Sequence, residues 1–545
     1  MLFERFDGIA GLRSLASIID YAAEKYGDHA AVWVRRGDDE LVISYRELRS
    51  LTARVAVGLA DAGVEGKPVL LVGGLSWEWF LSFCGIVCAG GIAVPADREF
   101  DGAKLTELAQ RTSAAFVVGD EAILESAAVT DLLAAEPGLT TIDFSAIDTF
   151  SEHPCDPSQV NHFPDPGGHA IAVYVQTSGT TSVSKIVPLT HDNIASNVAS
   201  AIVYVNEMDL GAIIPVLPPH HTFGLSTGLF VPILAGQTLC FGGGVGRIAN
   251  DMKYFHPTIL VLVPLIVESL HKKIWLEAER QGRDGQLRKA ISASRMLRRV
   301  GIDVRTRLFK RVLEPFGGRL AIIICGGAVL KPELIEEFDA IGIQVINGYG
   351  ITECSPIVSA NSMMESRLGS IGRPIKAPYG EVALIDDEIC VHGRTVMHGY
   401  LNDPEATAEA FTKDGWFKTG DLGNFDEDGF LHITGRKKNL IILSDGNNVA
   451  PEELELALSE SDLVGSVVVT SETREGREQI LAQIFPNEDY ITEHAITNVK
   501  EQIDEFVAEL NATLPGYKRI RRVVLVSHDF EKTSLGKVKR YLIPS

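Results

Sequence analysis

The stretch Tyr174-Val-Gln-Thr-Ser-Gly-Thr-Thr-Ser-Val-Ser-Lys185 combines residue types that can hold a phosphate. An apolar run, residues 170–175, leads straight into small hydroxyl residues, and the stretch ends in a lysine. Small residues let backbone N–H groups curl around an anion, hydroxyls add donors, and the lysine adds a mobile charge. It is not a Walker A loop, which requires G-x-x-x-x-G-K-[ST]. A Ser/Thr-rich turn standing alone is more commonly a solvated loop, so the phosphate reading needs support from elsewhere in the chain.

Three further segments supply it. Asn347-Gly-Tyr-Gly-Ile-Thr-Glu353 follows the apolar run 344–346 and combines glycines, an aromatic residue and a carboxylate. Trp416-Phe-Lys-Thr-Gly-Asp-Leu422 is followed by Gly435-Arg-Lys-Lys-Asn439, an acid and then a basic cluster. Near the C-terminus stands Lys532-Thr-Ser-Leu-Gly-Lys-Val-Lys-Arg540. In this order, over nearly the whole chain, the segments resemble those of the adenylate-forming superfamily, which contains acyl-CoA synthetases, peptide-synthetase adenylation domains and luciferases. The usual phosphate loop of that family is T-S-G-T-T-G-x-P-K-G. Thr177, Ser178, Gly179, Thr180, Thr181 and Lys185 match it, and Thr190-His191 downstream also fits. Ser182 stands for Gly, Ser184 for Pro and Ile186 for Gly.

The resemblance implies roles for particular residues. Tyr349 would stack on adenine, Thr352 would bind the α-phosphate and Glu353 would ligate Mg²⁺. Gly327, Ala328, Asn347, Gly348, Gly350 and Ile433 would line the nucleotide site. Asp421 would take both ribose hydroxyls, and Arg436 would also reach the nucleotide. Lys537, in a T-x-x-G-K match, would bridge the incoming carboxylate and the adenylate oxygens, where a compact cation steadies growing negative charge. Pro218-Pro-His-His-Thr-Phe-Gly224 resembles the acyl-pocket segment, so His221, Phe223 and Gly326 are the expected pocket residues. Lys438 falls at the hinge position, and Gly446 would admit the pantetheine arm of CoA.

The implied reaction is attack of a carboxylate on the α-phosphorus of MgATP with release of pyrophosphate, then attack of a thiol on the acyl-adenylate. Positioning and charge neutralisation dominate such a step. The texture of residues 263–273, 317–328 and 435–439 is closest to fatty acyl-CoA synthetases, with an apolar pocket wall and ATP, Mg²⁺ and CoA as the partners. The alternatives are transfer to a carrier-protein thiol or an amine, and a homologue that binds nucleotide without catalysis.

Other features read as bland. Gly242-Gly-Gly-Val-Gly246 does not fit G-x-G-x-x-G and reads as a turn. Adjacent His220 and His221 are expected to point apart, with no carboxylate or Cys at ligand spacing. Lys and Arg number 50 against 72 Asp and Glu, a net charge of −22, which argues against nucleic acid and anionic membranes as partners. Seven scattered cysteines suit a reducing cytoplasm rather than a disulfide framework. No signal peptide is evident, and the apolar runs 81–94 and 258–267 are shorter than the ~20 residues of a spanning helix.

The elements that must position these residues are legible as patterns. Apolar residues at three- and four-residue spacing predict helices over 15–26 and 45–62. Short β-type runs fall at 30–34, 68–72, 115–118, 321–325 and 344–346, so strands alternate with helices as in a layered, mostly parallel α/β fold. Pro, Asp and His at 154–168 predict a loop. Beyond residue 378 short strands (381–385, 388–391, 430–434) alternate with turns, predicting a β-rich subdomain. The expected division is an N-terminal ATP- and acyl-binding domain, 1–435, and a small, mobile α+β domain, 436–545.

Overall fold

The computed structural model describes residues 8–37, 39–151, 166–177, 184–205, 210–328, 330–443, 447–474, 477–532 and 538–543. The loop expected at 154–168 lies largely outside them. The first predicted helix is Leu15–Tyr26, closed at its start by a reciprocal Ser14–Ser17 capping box. The second is Tyr45–Asp61, with Ser44 and Glu47 capping each other in the same way. Such boxes satisfy N–H groups that a helix start otherwise leaves unpaired. Both helices bury an apolar stripe that includes Leu15, Ile18, Ile19, Leu48, Val55 and Leu59.

The chain divides into two compact units, one comprising residues up to 177, 185–382 and 391–415, the other 383–390 and 416 onward. The first unit carries two large sheets. One has six strands in the order Thr140–Asp143, Phe116–Gly119, Pro68–Leu71, Ile92–Pro95, Ile171–Gln176 and Ile186–Thr190. Its strands are parallel except for the last pair, an antiparallel hairpin. The other has nine strands, with a parallel centre in the order Gln344–Gly350, Ile322–Cys325, Ile259–Leu262, Ala212–Ile214, Thr238–Phe241 and Ala30–Arg36. Antiparallel strands complete both edges. The central strands are continuous runs of Ile, Leu and Val because helices cover both faces, as parallel sheets require. Leu262, Val267, Leu287, Ile291, Phe309, Ile323 and Phe338 share one core against the larger sheet.

The second unit holds the antiparallel pair Phe417–Phe425 and Leu431–Arg436. It also holds a three-stranded sheet of Val464–Arg474, Arg477–Pro486 and Ile520–Leu525. The helices Pro451–Leu458 and Val499–Thr513 pack on that sheet through Leu454, Leu458, Ile503 and Val507. The layered α/β architecture with a separate C-terminal α+β unit is as expected. The six described cysteines are free and buried. No helix among the described residues is long and apolar enough to cross a membrane.

Candidate active site

The strand Ile171–Gln176 delivers Thr177, and Lys185 precedes the returning strand Ile186–Thr190. The Thr177 N–H donates to the Lys185 carbonyl at 2.9 Å, and the Lys185 N–H donates to the Thr177 hydroxyl at 3.1 Å. These two bonds close the base of the expected phosphate loop. Residues 178–183 of that loop, including Ser178, Gly179, Thr180 and Thr181, lie outside the described residues. The chain continues from Lys185 as a strand, so no helix N-terminus adds its dipole directly after the loop.

The second segment lies at the C-terminal ends of the parallel strands in the larger sheet. Leu262 pairs with Cys325, and Cys325 with Asn347, so Gly326, Gly327 and Asn347 emerge side by side. Crevices at such strand ends are where open α/β sheets bind ligands. A methyl group placed on Gly326 would lie 3.1 Å from the Phe223 ring and 3.3 Å from the Gly348 carbonyl. Gly326 therefore lies close to both Phe223, another expected acyl-pocket residue, and the expected nucleotide segment at Gly348. Ala328 follows, exposed, before the helix Pro332–Ile341.

Asn347-Gly-Tyr-Gly350 is not a turn but the end of the strand Gln344–Gly350, paired with Ile357–Ala360. Tyr349 stands opposite Ser359 and is half-buried. A side chain at Gly350 would come within 2.5 Å of the Pro356 carbonyl oxygen, so the glycine permits the close return of the chain. The Oδ1 of Asn347 is buried without a hydrogen-bond partner among the described residues. An unsatisfied buried acceptor is costly, and the exocyclic amine of a purine is the kind of donor that would satisfy it.

Thr352 and Glu353 begin a short 3₁₀ turn, Thr352–Cys354. The Tyr400 hydroxyl donates to Glu353 Oε1 at 2.9 Å, and Lys185 Nζ lies 4.3 Å above the Tyr400 ring. Burial first, and the Glu353 charge second, push the Tyr400 phenol far above its ordinary pKa, so it remains a donor. Glu353, Tyr400, Lys185 and Thr177 thus form one cluster. Sequence reasoning missed Tyr400, which lies 47 residues from its partner.

It also missed what holds the cluster in place. The buried helix His191–Val205 follows the hairpin of Ile171–Gln176 and Ile186–Thr190, its start locked by reciprocal bonds between Thr190 and Asn193. Asn193 Nδ2 donates to the Arg394 and Val396 carbonyls. Asn197 Nδ2 donates to the Cys354 and Ile357 carbonyls, and its Oδ1 accepts from the Ile357 N–H. The Met397 N–H reaches the Glu353 carbonyl at 2.8 Å. One helix therefore fixes both the turn carrying Glu353 and the segment leading to Tyr400. Buried amides are tolerable there because their polar groups are paired. The faint signal in the sequence is a helix whose inward positions are Asn and Ser.

His221 and Phe223 are half-buried. The His220 and His221 rings do not point apart: their centroids are 4.4 Å apart, and Asp97 Oδ2 lies 3.6 Å from His220 Nε2. Local spacing could not reveal a carboxylate from a loop far away in sequence, just after the strand Ile92–Pro95. Burial nevertheless holds His220 below its ordinary pKa, against the pull of Asp97 and Glu99.

In the second unit, Asp421 and Arg436 are directly opposed across the hairpin, with Arg436 Nε 2.9 Å from Asp421 Oδ1. Asp421 is buried, and Ile433 lies half-buried opposite Gly423. Lys438 is exposed. Gly446 and Lys537 lie outside the described residues. The chain around Lys537 is tied down on both sides. Lys532 bridges to Val538 as paired backbone, and Arg540 pairs with Glu455 and donates to the Val469 carbonyl at 3.1 Å.

The residues present fit a magnesium nucleotide. Among the described residues no group of three His, Cys, Asp or Glu side chains could hold a metal. A cation at Glu353 would therefore need nucleotide oxygens, which is the ordinary Mg²⁺ arrangement of one or two carboxylates with substrate phosphates.

Residues 19–401 match the AMP-binding enzyme family and residues 438–543 its C-terminal domain. The long-chain-fatty-acid–CoA ligase FadD15 of Mycobacterium tuberculosis is 28% identical, with 77% of this chain and 73% of that protein covered. A probable CoA ligase of Humulus lupulus, CCL9, is 26% identical over 97% of this chain and 96% of its own length. ATP-bound MatB from Rhodopseudomonas palustris superposes with a TM-score of 0.75 at 24% identity, covering 96% of this chain and 97% of its own. The o-succinylbenzoate CoA synthetase of Bacillus subtilis, solved with ATP and magnesium, superposes at 0.71 and 21% identity, covering 96% and 98%. With this match over most of its length, the chain belongs to the AMP-binding enzyme family, within the adenylate-forming superfamily.

Proposed function

We propose that this protein joins a hydrophobic carboxylic acid, of the fatty-acid class, to the thiol of CoA at the expense of ATP. The observation that carries the reading is the gathering of Lys185, Tyr400 and Glu353 beside Thr177, at the base of the phosphate hairpin. The names of relatives such as FadD15 support the acid class and the thiol acceptor.

A bound Mg²⁺ would supply charge neutralisation on the phosphates. Glu353 would hold it, oriented by the Tyr400 hydroxyl. Thr352 and Lys185 would bind phosphate oxygens, and Asp421 with Arg436 would hold the ribose. A carboxylate oxygen bonds to the α-phosphorus as the bond to pyrophosphate breaks, with Lys537 offsetting the repulsion between the two anions. The thiolate then attacks the acyl carbon and AMP departs. Movement of a C-terminal domain, 436–545, about Lys438 would bring the CoA path at Gly446 into use, and the buried free cysteines suit a cytoplasmic setting.

The test is mass spectrometry of products from a panel of acids with MgATP, with and without CoA. The expected result is acyl-CoA from one window of apolar chain lengths. ATP consumption with adenylate but no CoA ester would replace this reading with transfer to a carrier protein or an amine.

A further inference from the structure

A net charge of −22 argues against an anionic surface as partner only if the charge is evenly spread, and it is not. Between Arg283 and Arg311 the chain carries ten Lys and Arg against two Asp. This stretch contains the helix Asp284–Arg299, which docks on the core of the first unit through Leu287 and Ile291. With 3.6 residues per turn, the opposite face presents Lys289, Ser292, Met296, Arg299 and Val300. Met296 is 71% exposed and Val300 69%. The chain then turns at Gly301 and exposes Ile302 at 50% and Leu308 at 45%, with Arg307, Lys310 and Arg311 among them.

Single exposed apolar side chains are ordinary, but four within thirteen residues of a strongly basic segment form a local concentration. The Asp303 carboxylate is already committed, held by Arg305 at a pKa of about 2. Arg295, Arg298 and Arg305 are paired with Glu336 or Asp339. Lys289, Arg299, Arg307, Lys310 and Arg311 have no carboxylate partner among the described residues. Met296 and Val300 stand among cations at the end of the helix, and Ile302 and Leu308 among those of the segment that follows, an interleaving of bared apolar and basic side chains suited to the headgroup layer of an anionic bilayer.

We propose that the face built from the helix Asp284–Arg299 and the following segment to Arg311 docks this protein peripherally on anionic lipid membranes. The cations meet lipid phosphates while Met296, Val300, Ile302 and Leu308 enter the interface. An acidic protein would satisfy the charges but gives no reason for four bared apolar side chains between them. The inference rests on this surface alone and not on the chemistry proposed above.

The test is flotation of the full chain with vesicles of phosphatidylcholine, with and without about 30% phosphatidylglycerol, at low salt and at 0.5 M NaCl. The anionic vesicles should bind the protein, neutral ones much less, and salt should weaken the binding. Each basic residue near a membrane contributes roughly fivefold in affinity, so K289E/R299E/R307E/K310E should lose at least about a hundredfold. Met296→Gln with Val300→Ser should weaken binding while leaving the net charge of the face unchanged. Turnover of a water-soluble acid without vesicles should be unchanged in both variants. Failure to bind anionic vesicles at low salt, or undiminished binding by the fourfold variant, overturns the proposal. So does capture of an acidic carrier protein through this face with no vesicle binding.

Discussion

Replacing Tyr400 by Phe isolates one hydrogen bond, from the phenol to Glu353 Oε1 at 2.9 Å. Hydrogen bonds to charged groups contribute about 1.5–3 kcal/mol net, and partial exposure of both side chains brings this one to the bottom of that range or just below it, about 1–1.5 kcal/mol. If this bond orients the carboxylate that holds Mg²⁺, losing it weakens MgATP binding by about five- to tenfold. The Phe ring still lies beneath Lys185, so the ammonium–ring contact at 4.3 Å survives. Tyr400→Leu removes that contact too and should cost a further two- to fivefold, about 0.5–1 kcal/mol. Pyrophosphate release measured against ATP and Mg²⁺ concentration reads both effects. The loss should appear chiefly in KM, because the ring and hydroxyl orient a binding group rather than act in the transition state alone. A melting curve for each variant separates this from unfolding. If Tyr400→Phe stays within twofold of the unaltered protein in its dependence on both ATP and Mg²⁺, the assignment of Glu353 as an oriented ligand is refuted.

Lys537→Ala should slow adenylate formation roughly 10²–10³-fold while sparing thioester formation from supplied acyl-adenylate, as separate half-reaction assays would read. Asp421→Ala leaves Arg436 without its 2.9 Å partner and should cost about 2–3 kcal/mol, seen as a lower denaturation midpoint together with weaker ATP binding. Gly372→Ala should destabilise the first unit by several kcal/mol, about 3 or more. Its φ of +86° disfavours a side chain, and the added carbon would lie 1.8 Å from the Ala360 carbonyl carbon. His220 has a folded pKa below its ordinary 6.5, so protonation is disfavoured in the native state and stability declines as pH falls below 6.5 until the folded pKa is passed. His220→Gln should therefore lose less stability than the unaltered protein between pH 7.5 and 5.5, measured by chemical denaturation.

Local order along the chain is enough to place Thr177, Lys185, Asn347–Glu353, Asp421 and Arg436 as candidates, because each motif is a short contiguous run whose residue types suit one ligand group. The helices 15–26 and 45–61 were equally legible, since amphipathic spacing and capping residues act within a few positions. Partnerships across long separations were not. Tyr400 meets Glu353, Asp97 approaches His220, and Asn193 and Asn197 hold two distant segments, through contacts that leave no local pattern. The same limit applies to charge. A count over the whole sequence sees only an acidic protein, whereas helical geometry gathers Lys289, Arg299 and their exposed apolar neighbours onto one face. Composition and motif order determined the family and the chemistry on offer. Tertiary packing alone decided which side chains meet and which remain bare, because hydrogen bonding and burial depend on position in space rather than on separation along the chain.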